Sequence, residues 1–204
     1  MLQLALPLVV CMLFRSVILA GTANNVSTLR PSIVPTARAS LKGRSGVRAQ
    51  FDFVFSVGAN AMVVVVHING LDKVNPKGEF AYHIHTNPIG PDGNCTAALE
   101  HLNPKNASAN CDFLKPEYCQ VGDLSGKFGK ISGAIGNFTA HYIDPFLRFV
   151  PEAQSILGRS VVIHAPDSSR IACGNITSKL DGTETGDGKP TSKPSTYVKN
   201  HAKL

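Results

Sequence analysis

Apolar and polar residues alternate with a period close to two along much of the middle of this chain. Between residues 49 and 57, apolar side chains occupy every second position, which is the period of a β-strand. A run of four valines predicts a second strand over residues 60–68, and Asn69-Gly70 ends it. The same reasoning predicts strands over 79–86, 131–140, 160–164 and 170–177. Short strands between glycine turns, with no long amphipathic helix, predict an all-β sandwich or barrel.

One long stretch interrupts this pattern. Residues 94–126 are polar and contain three cysteines, so they predict a loop outside the sheet that disulfides hold in place. Together with the strands on either side, this loop belongs to one predicted domain over residues 35–180, a length that can bury a core.

The two ends differ from this domain in composition. The apolar beginning predicts a secretory signal peptide over residues 1–23, because Gly21-Thr22-Ala23 places small residues one and three positions before a cut after Ala23. Cleavage after Ala20 is the less favoured alternative, since Ile18 is bulky. The run is interrupted by Arg15 and is short for a bilayer span, so no stable membrane insertion is predicted. Residues 24–34 are predicted to be an unstructured lead-in, and 181–204 a disordered polar tail.

Charge is distributed unevenly along the chain. The whole sequence has a net charge of +6, and residues 24–50 contain five basic and no acidic side chains. Residues 51–177 are slightly acidic, which argues against a nucleic-acid-binding face. The basic ends could associate with an anionic surface outside the cell.

The cysteines and glycosylation signals agree with secretion. Once Cys11 leaves with the signal peptide, the four cysteines that remain predict two disulfides with three possible pairings. N-x-[ST] signals for glycosylation, of which we expect only some to be used, begin at Asn25, Asn94, Asn106, Asn137 and Asn175.

Four histidines are the strongest candidates for chemistry. In a strand, His83-Ile84-His85 places two imidazoles on one face, because side chains alternate. His101 and His164 follow, and imidazole suits copper and zinc. With no C-x-x-C pair for a zinc-thiolate site, this set predicts a redox copper site.

The surroundings of these histidines resemble the copper/zinc superoxide dismutase family over about residues 35–180. The similar stretches, which occur in the family's order, are Tyr82-His83-Ile84-His85, Glu100-His101-Leu102-Asn103-Pro104, Val121-Gly122-Asp123-Leu124, 158–164 and 169–174. The resemblance implies an immunoglobulin-like Greek-key β-barrel that carries copper on its outer face, with the loop pinned by a disulfide.

The resemblance also implies roles for single residues. His83, His85 and His164 resemble the copper ligands, and His101 resembles the histidine that bridges copper and zinc. Arg170 resembles the arginine that guides superoxide to the metal. Cys95 and Cys173 resemble the family's disulfide within the subunit, which leaves Cys111 and Cys119 to pair with each other.

Two departures from the family pattern change the expected metal content. No histidine lies between His101 and Asp123, and Gln120 stands three positions before Asp123, so a four-ligand zinc site lacks two ligands. Only residues 165–169 separate His164 from Arg170, where the family has a long charged loop. Both losses resemble the copper-only extracellular dismutases, mostly fungal, so we expect one copper per chain and no zinc.

This resemblance predicts a secreted enzyme that converts superoxide to dioxygen and hydrogen peroxide. Without zinc, another group must orient His101; we expect Asp123 to do so, and Glu117 is the weaker alternative. A non-catalytic copper-binding module on the same fold is the other hypothesis. Arg170 favours the enzyme, because copper binding alone needs no cation aimed at an anion.

Overall fold

The computed structural model describes residues 37–179. The predicted signal peptide (1–23), lead-in (24–34) and polar tail (181–204) lie outside this range. Within it, eight antiparallel strands form one sheet that curls into a nearly closed barrel. The strands are β1 (Ala37–Gly43), β2 (Arg48–Ser56), β3 (Ala61–Asn69), β4 (Glu79–His85), β5 (Ile131–Ser132), β6 (Asn137–Asp144), β7 (Ser160–His164) and β8 (Arg170–Ser178).

The strand order is β5-β4-β7-β8-β1-β2-β3-β6. Chain neighbours β3 and β4 therefore lie apart in the sheet, and so do β6 and β7, which gives the Greek-key connectivity. The prediction of an all-β Greek-key barrel is confirmed. One short helix, α1 (Leu124–Phe128), and four single turns of 3₁₀ helix complete the described elements. None of these helices could cross a lipid bilayer.

The core explains why the alternating stretches became strands. Phe51 and Phe53 on β2 point inward, and on β3 the inward residues Val64 and Val66 are fully buried. The two rows of side chains lie next to each other, because Phe51 pairs with Val66 and Phe53 with Val64. Burial of such side chains stabilises the fold by about 1.5–3 kcal/mol each.

The predicted single strand over 131–140 is wrong in its extent. The structure has the two-residue β5, a turn, and then β6, which continues to Asp144. Gly133 lies in the turn, where a Cβ atom would come within 2.0 Å of the Asn75 carbonyl oxygen. This close approach of two backbones ends β5, and the alternation of apolar residues alone does not reveal it.

The long loop is attached to the barrel by backbone hydrogen bonds instead of strands. Gly122 N–H donates to the Leu102 carbonyl, Leu102 N–H donates to the Ile84 carbonyl, and Ile84 N–H donates to the Gly122 carbonyl, each at 2.8 Å. A Cβ atom on Gly122 would lie 2.2 Å from the Ile84 carbonyl oxygen. Glycine is therefore required where the two halves of the loop meet β4.

Candidate metal centre

Two adjacent strands and the long loop bring the four histidines together. His83 and His85 project from one face of β4, and β4 pairs with β7 so that Ala81 faces His164. His101 comes from the loop through an isolated bridge to His85. Each histidine offers one ring nitrogen, and these four nitrogen atoms all lie within 4.8 Å of one another. Within residues 37–179, these four histidines form the group of side chains suited to a metal ion.

Three of the histidines have their Nδ1 atoms held by oxygen acceptors. His85 Nδ1 lies 2.7 Å from the Leu99 carbonyl oxygen, His164 Nδ1 lies 3.2 Å from the Ser168 carbonyl oxygen, and His101 Nδ1 lies 2.8 Å from Gln120 Oε1. A carbonyl oxygen only accepts, so each Nδ1 carries the proton and donates it. The Nε2 atom of each ring then has a lone pair for a metal.

In His83 the two ring nitrogens have exchanged roles, because Nε2 contacts the polar neighbours and Nδ1 is left open. Its Nε2 lies 3.1 Å from the Ser125 hydroxyl oxygen and 3.4 Å from an Asp123 carboxylate oxygen. Its Nδ1 is buried and makes no hydrogen bond within the described residues. A buried nitrogen without a partner is costly, so the open Nδ1 favours a ligand at this position.

A second observation favours a cation in the cluster. His85 Nε2 and His164 Nε2 lie 3.2 Å apart, although both rings are protonated at Nδ1. Two lone pairs facing each other at this distance repel unless a cation or a shared proton lies between them. The donor set, four imidazoles, suits copper.

The protonation states agree with metal binding. Burial, together with the neighbouring imidazoles, lowers the pKa of His83 to about 2. Burial also lowers the pKa of His85 to about 3, although its hydrogen bond to Leu99 opposes this shift. The pKa of His164 is also lowered, and burial is the largest cause. Neutral imidazole is the form that binds a metal, so three rings are prepared for it at neutral pH.

Arg170 lies beside this cluster in a fixed position. Its Nη1 donates to the Cys95 carbonyl at 2.7 Å and to the Thr96 carbonyl at 3.3 Å, and its Nη2 donates to the Leu99 carbonyl at 2.6 Å. The Leu99 carbonyl also accepts from His85, so one oxygen joins the guanidinium to a candidate ligand. Leu99 has φ +59°, a strained value for leucine, and such strain concentrates at functional sites.

Asp123 is close to the cluster but does not have the predicted contact. Its carboxylate faces His83 and accepts the backbone N–H of Gly126 at 2.7 Å, which caps α1. Orientation of His101 falls to Gln120. Glu117 lies in an exposed 3₁₀ turn, and the side-chain hydrogen bond of His101 goes to neither carboxylate. The expectation for Asp123 and Glu117 is therefore corrected, because the N-cap geometry turns the Asp123 side chain toward the helix.

Sequence reasoning missed Ser125 and undervalued Gln120. The signal for Gln120 is its position three residues before Asp123, where a side chain that does not replace a zinc ligand can still accept a hydrogen bond from His101. Ser125 gave no signal, because its contact with His83 depends on α1. That helix is held by the fully buried ion pair between Lys127 and Asp144 at 2.6 Å, with Lys127 Nζ also donating to the Val121 carbonyl.

The structure contains two disulfides around the site. Cys95–Cys173 joins the start of the long loop to β8, and Cys111–Cys119 closes a small ring within the loop. These are the pairings that the resemblance implied. The first lies next to the Arg170 contacts, so it fixes the carbonyl groups that hold the guanidinium.

Comparison with known proteins gives one consistent family. A family model described as copper/zinc superoxide dismutase matches residues 47–176. Cell surface superoxide dismutase [Cu-Zn] 6 of Candida albicans is 35% identical over 84% of this chain and 53% of its own length. A cell surface Cu-only superoxide dismutase of Arthroderma benhamiae is 38% identical over 48% of this chain and 27% of its own length.

A solved structure agrees with these sequence matches. The Cu(II) form of Candida albicans superoxide dismutase 5 superimposes with a TM-score of 0.64 at 28% identity, over 76% of this chain and 99% of that one. The chain spans about half or less of the length of the cell-surface relatives that it matches first.

Proposed function

Because this chain belongs to the copper/zinc superoxide dismutase family, we propose that it is an extracellular superoxide dismutase with one copper ion and no zinc. The observation that carries this proposal is the four-imidazole cluster, in which His83 Nδ1 and the Nε2 atoms of the other three rings are left for copper. Bound copper would supply a one-electron couple that oxidises one superoxide to dioxygen and reduces another, which takes up protons to become hydrogen peroxide.

The residues around the cluster have two further roles, which are to orient the imidazole rings and to attract superoxide. Leu99, Ser168 and Gln120 accept the Nδ1 protons of three rings and so fix the direction of each ring. Ser125 does the same for the fourth ring through Nε2. Arg170, held by carbonyl groups, offers a fixed positive charge that draws superoxide toward the cluster.

Two contacts support the absence of zinc. The Nδ1 atom of His101, which would have to face a bridged zinc, donates instead to an amide oxygen at 2.8 Å. Asp123, the other family ligand that this chain retains, faces His83 and caps α1. The two family zinc ligands that this chain retains therefore have other partners, and an amide oxygen is not among the usual zinc ligands.

The extracellular assignment rests on several features together. Four of the relatives are described by name as cell surface proteins, and both disulfides suit an oxidising compartment. In this compartment the basic residues near the start of the domain can meet anionic surfaces. Arg38 already pairs with Asp52, whereas Lys42 and Arg48 face each other across the β1–β2 hairpin.

Metal content and dismutation, measured on one preparation of the secreted protein, test this proposal. The protein is reconstituted with copper alone and then with copper plus zinc. We expect one copper per chain, no zinc in either case, and fast dismutation. A matched control is His67→Ala, since His67 is an exposed histidine that contacts Thr139 on the outer face of the sheet. The copper content of this variant should be unchanged.

Two outcomes would overturn the proposal in different ways. Stoichiometric zinc would contradict the copper-only assignment. Tight copper binding with negligible turnover would instead support the non-catalytic copper-binding module and leave Arg170 without its role.

A further inference from the structure

We propose that Asn137 carries an N-linked glycan in the secreted protein, while the same type of signal at Asn175 stays unmodified. Asn137-Phe138-Thr139 and Asn175-Ile176-Thr177 are matched signals, each with a large apolar residue in the middle and threonine at the end. Both lie on β-strands, β6 and β8. Since the local sequences are equivalent, a difference in modification must come from the fold.

The side-chain amide of Asn175 is occupied on both sides. Its Oδ1 accepts the backbone N–H of Ile89 at 2.7 Å, and its Nδ2 donates to the Ile89 carbonyl at 2.9 Å. Asn175 Nδ2 carries two hydrogens, one on the same side as Oδ1 and one on the opposite side. Because Oδ1 and Nδ2 both bond to Ile89, the hydrogen on the Oδ1 side is the one that points at Ile89. A sugar on Nδ2 makes a secondary amide, whose trans preference places the sugar on this same side.

A glycan at Asn175 would therefore remove the contact that holds Ile89. Ile89 packs against Ala98, Val162 and the Cys95–Cys173 disulfide, which lie beside the carbonyl groups that hold Arg170. A chain modified at Asn175 could not form this part of the loop. The correctly folded protein is then the unmodified one at this position.

Asn137 has the opposite surroundings. It is exposed at the first residue of β6, and its amide makes no hydrogen bond within residues 37–179. Its backbone pairs with Asn69 of β3, and the outward row that it begins continues through Thr139, His141 and Ile143. The Asn137 amide is free to react with a polyprenyl-diphosphate-linked oligosaccharide.

The reaction is a simple group transfer. Nδ2 forms a bond to C1 of the first sugar, the bond from C1 to the diphosphate oxygen breaks, and the amide loses one proton as the lipid diphosphate leaves.

The position of Asn137 also indicates what the glycan would do, which is to shield the open edge of β6. β6 is the last strand in the sheet order and pairs with β3 on one side only, among the strands described. Its partner across the barrel opening, β5, is only two residues long. An open strand edge with an exposed Ile143 can pair with another copy of the chain. A bulky, hydrated glycan at the first residue of β6 would block this pairing.

Mapping the modified asparagines of the secreted protein tests this inference. Enzymatic glycan release in ¹⁸O water converts each formerly modified asparagine to labelled aspartate, which peptide mass spectrometry locates. We expect label at Asn137 and none at Asn175. Label at Asn175 in the folded protein, or none at Asn137, would overturn the inference.

Variants test the two parts separately. Asn137→Gln should remove one glycan from the protein mass, Thr139→Ser should retain it, and Asn175→Gln should leave the glycan mass unchanged. If Asn175→Gln is not secreted, the mapping on the unaltered chain still decides. Size-exclusion chromatography of Asn137→Gln should show more self-association than the Thr139→Ser control, and equal association would refute the shielding role. Neither readout depends on copper, so the proposed dismutase activity can fail or succeed independently.

Discussion

The two connections that border the histidine cluster have opposite designs. The long connection after β4 contributes a candidate ligand, His101, and groups that orient two rings, Gln120 and Ser125. Two disulfides and the backbone contacts at Gly122 hold it against the barrel. The short connection between β7 and β8 has five residues and contributes one carbonyl group, that of Ser168, to His164.

This difference shows two ways in which a backbone segment without strands can be held in a defined position. The long connection contains no strand, yet cross-links and hydrogen bonds to β4 define where its side chains lie. The short connection needs no such devices, because its length leaves it few conformations. It also places only five residues beside His164. The long side should therefore control stability and metal binding, and the short side should mainly control access of the substrate.

Removal of the Cys95–Cys173 disulfide should be the most damaging change to the long connection. Its cysteines are 78 residues apart, against 8 for Cys111 and Cys119. Replacing both members of the first pair with serine should lower the free energy of unfolding by about 2–5 kcal/mol, and chain entropy makes this about 2 kcal/mol more than the same change in the second pair. Urea unfolding of the two double variants measures the difference. Equal losses would contradict the pinning role.

Gly122→Ala should separate the long connection from β4. The new Cβ atom would lie 2.2 Å from the Ile84 carbonyl oxygen, so the backbone must shift and the unfolding free energy should fall by about 1–3 kcal/mol. Copper content should fall with it, because His101 and Gln120 lie on either side of this contact. Gly58→Ala is the control, since a Cβ atom there meets nothing within 4 Å. Thermal unfolding and metal analysis of both variants provide the measurement.

Acid should destabilise the metal-free protein through the buried histidines. The unfolded chain binds protons at histidine below about pH 6.5, whereas His83 and His85 have pKa values of about 2 and about 3 in the folded protein. Stability is therefore complete above about pH 6.5 and is lost as the pH falls below it, by up to about 2 kcal/mol for each of the two histidines at about pH 5. Thermal unfolding across this range checks the effect. An unchanged melting temperature would show that the rings are not buried as neutral groups.

Arg170→Ala should slow dismutation by about tenfold at low ionic strength, because the fixed cation that attracts superoxide is lost. The loss should shrink as salt screens the charge. Arg170→Lys keeps the charge but cannot form the forked contacts with the three carbonyl groups, so it should retain more of the rate. Pulse-radiolysis rates over a salt series distinguish these cases, and a salt-independent deficit in Arg170→Ala would contradict steering.

Asp167→Asn should have the smallest effect of the series. Asp167 is an exposed carboxylate on the short connection, and hydrogen bonds from Ser169 lower its pKa. Removing this negative charge should raise the rate at low salt by less than about twofold, with no change at high salt. Glu152→Gln, in a 3₁₀ turn outside both connections, is the control. A slower rate in Asp167→Asn would mean that the hydrogen bonds of Asp167 matter more than its charge.

The strands and the histidines could be predicted from the amino-acid sequence because their signals are local. Alternation in β2 and β3 and the H-x-H pair in β4 depend only on the geometry of a single strand. The break between β5 and β6 could not be predicted in this way, since Gly133 is needed by the distant backbone of Asn75. The same limit applied to Asp123, whose direction is set by the helix that it caps.

The amino-acid sequence by itself thus determined the all-β class and the four histidines, because residue type and spacing along the chain carry those features, whereas the pairing of the cysteines and the role of Arg170 came from the resemblance to a known family. Only the tertiary structure decided that Gln120 orients His101, that Asp123 and Ser125 face His83, and that Asn175 is engaged with Ile89 while Asn137 is open. Each of these depends on hydrogen bonds between groups that are distant in sequence or turned by a local cap, and the direction of a side chain is settled only when its partners are in place.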